Sequence, residues 1–164
     1  MAKTTSQRKT RTTRLRQGSG EAGSRRQGSD GAGSRRQGSG EARPKVKPSK
    51  LPKAVSVAIE AAQDRKATGV VVLDLKKVGA FTDYFVICSA SNPRQVQAIA
   101  DAVEDALKGQ KQRPSLVEGY ARAEWILLDY FDFVIHVFSK HARDFYGLDR
   151  LWGSATRIEF PDVA

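Results

Sequence analysis

Between Met1 and Pro52 the chain carries three sizeable aliphatic side chains, Leu15, Val46 and Leu51, and no aromatic one. Such a segment cannot offset the entropy of ordering its own backbone, so any hydrophobic core must come from the residues that follow. The charge divides at the same place. Residues 1–53 hold 15 Lys and Arg against 3 Asp and Glu, a net +12; residues 54–164 hold 13 against 15, a net −2. The sequence pI near 10.0 thus describes the first third of the protein only.

The basic segment repeats itself every ten residues. Arg16-Gln17-Gly18-Ser19 returns as Arg26-Gln27-Gly28-Ser29 and as Arg36-Gln37-Gly38-Ser39. The period is too short and too polar for a solenoid unit, and residues 1–49 are expected to be a disordered Arg/Gly/Ser-rich tail. Three readings stand for it. Arginines on a Gly/Ser chain bind phosphates by releasing counterions, which gives weak RNA affinity with little sequence preference. The same composition also serves as an idle solubilising extension. A transit peptide is the third reading, opposed by the glycines between Gly18 and Gly40, which disfavour an amphipathic targeting helix.

Several classes fall away. No run of 18 apolar residues is present to span a membrane, and no apolar stretch near Met1 reads as a secretory signal. Cys88 is the single cysteine, and with two histidines it builds neither an internal disulfide nor a structural zinc site. The expected compartment is reducing and cytoplasmic. The remaining domain of about 110 residues is long enough to bury roughly 60–70% of its unfolded surface around one core.

Pro44, Pro48 and Pro52 separate tail from domain, and Pro52 suits the first turn of a helix. Ala54, Val55, Ala58, Ile59 and Ala62 recur at helical spacing. Val70–Leu75 and Tyr84–Cys88 read as buried strands. Asn92-Pro93-Arg94-Gln95 supplies an N-cap, a proline at the first helical position and a glutamine at the third. Val96, Ile99, Ala100, Val103 and Leu107 mark that helix's inner face, and Gly109 is a natural stop. Leu116–Tyr120 is a weaker strand.

Trp125–Tyr130 and Phe133–Phe138 predict an antiparallel hairpin. With Tyr130 and Phe131 as its turn, Trp125 would face His136 and Leu127 would face Val134. One face then carries Ile126, Leu128, Phe133, Ile135 and Val137, a continuous core stripe. The other carries Trp125, Leu127, Asp129, Val134, His136 and Phe138, a mixture suited to an interaction surface in which aromatic anchors dominate. Ser139 caps a short helix over Lys140–Tyr146, and Leu148, Leu151 and Trp152 close the domain. The order α-β-β-α-β-β-β-α gives a mixed sheet with helices, of α/β or α+β class.

Catalytic signatures are scarce. There is no G-x-S-x-G elbow, no G-x-x-x-x-G-K-[ST] and no G-x-G-x-x-G after a strand. Asp129 and Asp132 bracket the hairpin turn, where Asp serves local hydrogen bonding more readily than Mg²⁺. Cys88 ends a buried strand as a packing residue, and His136 has no legible catalytic partner. No catalytic, metal or cofactor site is expected.

The segments Val71-Val72-Leu73-Asp74-Leu75, Thr82-Asp83-Tyr84-Phe85-Val86-Ile87-Cys88, Glu118-Gly119, Trp125-Ile126-Leu127-Leu128-Asp129-Tyr130, Val134-Ile135-His136-Val137-Phe138 and Arg143-Asp144-Phe145-Tyr146-Gly147-Leu148-Asp149-Arg150-Leu151-Trp152 together resemble the RsfS, or Iojap, family of ribosomal silencing factors. The likeness covers residues 52–153, which leaves residues 1–49 and a C-terminal tail, 154–164, outside a domain of residues 50–153. It implies a nucleotidyltransferase-like mixed sheet of about five strands flanked by helices, without that fold's catalysis. It also implies binding to universal large-subunit protein fourteen and a steric block to joining of the small ribosomal subunit under nutrient limitation. The expected partner surface is Trp125, Leu127, Asp129, His136 and Phe138, extended by Tyr146 and Trp152 near the C-terminus. A weak rRNA contact by the tail and a homodimer of the free chain accompany this reading. Its rivals are a nucleotidyltransferase-like enzyme with Asp129 and Asp132 holding metal, and a general RNA-binding protein acting through the tail. Where the family usually has glycine between the hairpin Tyr and Asp, this chain has Phe131, which is strained if its φ is positive.

Overall fold

The computed structural model describes residues 51–164; the repeat-bearing tail lies outside the described residues. The first helix, α1 (Lys53–Asp64), turns Val55, Ala58, Ile59 and Ala62 inward, with Pro52 at its N-cap position rather than inside its first turn. Strands β1 (Thr68–Asp74) and β2 (Tyr84–Ala90) follow, then α2 (Pro93–Gly109). The Asn92 side chain accepts the Gln95 N–H at 2.9 Å, and the Gln95 side chain accepts the Ser91 N–H at 2.9 Å. Gly109 is still helical. The reversal falls two residues later, where Lys111 takes φ +62° and the Gln112 N–H donates to the Leu107 carbonyl at 3.0 Å.

Strands β3 (Leu116–Glu118), β4 (Trp125–Asp129) and β5 (Phe133–Ser139) come next, then the short helices α3 (Lys140–Tyr146) and α4 (Leu148–Leu151) and a last strand, β6 (Thr156–Glu159). The sheet has six strands in the order β3-β4-β5-β2-β1-β6. Only β2 and β5 run parallel; the other pairs are antiparallel. The sixth strand corrects the expected C-terminal tail, 154–164. Thr156–Glu159 pairs with β1, the Phe160 N–H donates to the Val70 carbonyl at 2.9 Å, and Asp162 accepts the Gly69 N–H at 2.7 Å. Ile158 is the single buried residue of β6, too little apolar pattern to announce a strand.

Helices α1 and α2 cover one sheet face with a core built on Val55, Ile59, Val72, Val86, Val96, Ile99, Val103, Ile126, Ile135 and Val137. The opposite face carries a smaller cluster of Val71, Leu73, Phe85, Ile87, Val134 and Phe138, under Ala142 of α3 and the partly covered Leu148 and Trp152. β2 is buried along its whole length because its alternate side chains enter these two cores. Burial pushes the Cys88 thiol up to about 12, with the Arg143 charge opposing, so the cysteine stays protonated in the packing.

The hairpin register differs from that expected. Trp125 faces Phe138, Leu127 faces His136 and Asp129 faces Val134. The loop is Phe131-Asp132, closed by the Tyr130 N–H on the Phe133 carbonyl at 3.0 Å. Phe131 has φ +66°, and the Asp132 N–H donates back to the Tyr130 carbonyl at 2.9 Å, a γ-type reversal centred on Phe131. Tyr130 therefore precedes the turn, bonded across it to Phe133, instead of forming part of it. A slip of two residues preserves the alternation, so both predicted faces stand.

Candidate functional site

The second face of the hairpin is only partly roofed. The indole of Trp125 stacks on Phe138 (ring centroids 4.8 Å apart) and lies 4.8 Å from the ring of Tyr146 on α3. Its Nε1–H donates to His136 Nδ1 at 3.1 Å, a diagonal contact between neighbouring strands rather than the directly opposed pair expected. His136 in turn meets the edge of Phe85 at 4.7 Å, and Phe85 meets Trp152 at 5.8 Å.

Burial sorts the expected partner residues into two sets. Trp125, Leu127, Asp129 and Trp152 are half-buried and Tyr146 is 55% exposed, so their outer surfaces are open to a partner. His136 and Phe138 are 3% and 0% exposed, which removes them from the surface set. The chain after Ser139 folds back over them, an arrangement that alternation within the hairpin does not reveal. Their role is to seat the indole: Phe138 gives it a floor and His136 a hydrogen bond. Two further exposed residues lie outside the expected set, Phe145 (73% exposed) and Leu151 (75% exposed), which flank Tyr146 and Trp152 in sequence. Phe145 packs edge-on against Tyr146 at 5.1 Å.

Burial pushes the His136 imidazole down to about 3, with the Asp149 charge opposing. Since Nδ1 accepts from the indole, the neutral ring carries its proton on Nε2, which has no hydrogen-bond partner among the described residues. His136 therefore holds Trp125 as a neutral acceptor throughout the physiological range.

The roof is fixed by charge. Asp149 accepts Arg143 at 2.8 Å and Arg157 of β6 at 3.0 Å, and Arg143 also donates to the Gly69 carbonyl at 2.6 Å and to Ser89 Oγ at 3.1 Å. Burial alone would raise the Asp149 carboxyl, but its bonds to the two guanidiniums hold it below the ordinary carboxylate value. Breaking one partner of so covered a set leaves the others unpaired, so the network locks α3 and α4 against the sheet. Ser139 caps α3, accepting the Ala142 N–H at 3.1 Å, and Gly147 ends it with φ +55°.

Gly119 positions Trp125 from the other side. Its φ is +79°, and a Cβ there would stand 1.9 Å from the Trp125 carbonyl oxygen. The loop it belongs to is tied to α2 by Tyr120 Oη, which donates to Asp101 at 2.9 Å. Asp129 accepts the Phe131 N–H at 2.8 Å, the local turn bond, and among the described residues no three His, Cys, Asp or Glu side chains cluster as a metal site. No described helix is long and apolar enough to cross a membrane.

A family model described as "Ribosomal silencing factor during starvation" matches residues 48–164. The chain is 38% identical over 109 residues to a Halalkalibacterium halodurans protein named ribosomal silencing factor RsfS, a match spanning 66% of this chain and 93% of that one. A Bacillus subtilis protein of the same name is 37% identical over 101 residues, 62% of this chain and 86% of its own. A crystal structure of a Chromobacterium violaceum protein superposes with a TM-score of 0.60 at 32% identity, covering 68% of this chain and 89% of that one.

Proposed function

The chain belongs to the RsfS family of ribosomal silencing factors, and from that premise we propose that it binds the large ribosomal subunit through universal large-subunit protein fourteen and blocks small-subunit joining sterically. Trp125 carries the reading: a large aromatic, partly buried with an open outer edge, and held in one orientation by Phe138, Tyr146 and a buried histidine. Rigid aromatic anchors of this kind supply most of the binding energy at protein interfaces, because little side-chain entropy is lost when they dock.

The contact surface is Trp125, Leu127, Asp129, Tyr146 and Trp152, with Phe145 and Leu151 added to it. Its acidic member and the domain's net charge of −2 suit a basic ribosomal protein. Translation is dampened by occupancy of that patch, in the cytoplasm and under nutrient limitation, and no chemical step is needed. The basic residues of 1–49 add a weak rRNA contact that raises the domain's local concentration. When the ribosome is absent, the same aromatic ridge supports a homodimer.

Co-sedimentation with separated subunits tests the reading. The protein should travel with the large subunit and not the small, and Trp125→Ala should weaken that association by about 2 kcal/mol or more. A folded Trp125→Ala variant that binds as the parent does would remove the anchor.

A further inference from the structure

Strand β4 points Trp125, Leu127 and Asp129 to one side, and two residues beyond Asp129 the chain reverses at Phe131, the hairpin tip. Phe131 is 74% exposed and Phe81, in the loop between β1 and β2, is 76% exposed. The two loops are joined: Thr82 Oγ1 donates to the Phe131 carbonyl at 2.9 Å, and the Asp83 N–H donates to the Asp132 carbonyl at 3.0 Å. The Phe81 ring leans on Phe85 at 5.9 Å, and Phe85 belongs to the cluster on which Trp125 and Trp152 rest.

Nothing in the fold calls for a benzyl group at position 131. Its backbone N–H and carbonyl make bonds that glycine would make equally well, its ring is mostly in water, and its φ of +66° is the region that side chains resist. A strained, solvent-facing aromatic that returns no packing points to a contact outside the molecule. Three carboxylates, Asp83, Asp129 and Asp132, lie on or beside these two loops, and none has an ion-pair partner among the described residues; the Phe81 loop also carries the exposed Lys77. Lys76, from the Phe81 loop, is turned onto Tyr84 and Asp74.

We infer that Phe81 and Phe131 form a second anchor that grips a Lys- or Arg-bearing stretch of protein surface, on the same partner that covers Trp125. The inference rests on the proposed large-subunit docking and carries that footprint past Asp129 to the hairpin tip and the adjoining Phe81 loop. The chemistry selects this occupant over two others. A nucleic-acid backbone would meet three carboxylates, and a second copy in a two-fold contact would bring the same three against their equivalents.

The test measures large-subunit binding and thermal unfolding of the full chain for Phe131→Gly, Phe131→Asn, Phe81→Ser and Trp125→Ala. Phe131→Gly and Phe131→Asn keep the left-handed backbone without the ring. They should unfold no earlier than the parent while binding about tenfold more weakly, and Phe81→Ser should weaken binding similarly. If only Trp125→Ala loses affinity, the second anchor is overturned and the ridge stands. If the Phe131 variants lose affinity while Trp125→Ala does not, the ridge's centre is overturned and the second anchor stands. A Phe131→Gly variant that melts several degrees early, or that alters only the self-association of the free chain, also overturns the inference.

Discussion

The two faces of the β4–β5 hairpin are built from the same ten or so residues in strict alternation, yet they are finished differently. On the helix side, Ile126, Leu128, Phe133, Ile135 and Val137 lie under the long helix α2 and are all buried. On the other side, Phe138, His136 and Val134 are buried beneath two short helices, while Trp125, Leu127 and Asp129 are left half-covered. The first face spends its apolar area on stability. The second holds part of it back, and uses buried neighbours to keep the uncovered part rigid. Rigidity is what separates a docking surface from an unfinished core.

That contrast breaks most readily on the helix side. Ile135→Ala should cost about 2–5 kcal/mol of unfolding free energy by chemical denaturation, and leave the large-subunit affinity of the folded fraction unchanged. Comparable losses of affinity and stability would merge the two faces. Next comes Gly119→Ala, whose methyl must displace the Trp125 carbonyl. It should cost about 2–3 kcal/mol and blue-shift or red-shift the tryptophan fluorescence, as the indole leaves its seat. An unchanged spectrum would detach Gly119 from the anchor.

Acid probes the second face through His136. The unfolded chain protonates His136 near 6.5, whereas the folded chain refuses the proton until about 3, so stability falls as pH drops through that window. At pH 5 the loss is about 2 kcal/mol, and His136→Phe should show a shallower acid slope between pH 6.5 and 4 than the parent. Equal slopes would mean that His136 takes up its proton without unfolding. The smallest effect belongs to the roof's cap: Ser139→Ala should destabilise by about 1 kcal/mol, and it should weaken large-subunit binding slightly through Tyr146. No change in binding would show that α3 does not need its cap to hold the ridge.

Local chemistry made much of this fold legible. Asn92-Pro93 with Gln95 is a self-contained capping device, and Ser139 caps α3 by the same means, so both helix starts stand where the side chains put them. The hairpin faces were legible because alternation survives a register slip. Its register was not, since Phe131 adopts a backbone that its own side chain disfavours. β6 is not legible in the sequence because an edge strand with one buried residue lacks a period, and its pairing with β1 joins residues more than eighty apart. The candidate site divides along the same line. Trp125 and Tyr146 read as surface aromatics from their neighbours, but the burial of His136 and Phe138 depends on where the chain returns after Gly147, which no short pattern encodes.

The central claim is that a rigid aromatic ridge on the unfinished face covers ground needed for subunit joining. Mixing purified large and small subunits with a saturating excess of the protein, and following association by light scattering, measures it directly. The account predicts that joining is suppressed by the parent and restored when Trp125→Ala replaces it. Association of the subunits at the same rate and extent with and without the parent protein would contradict it.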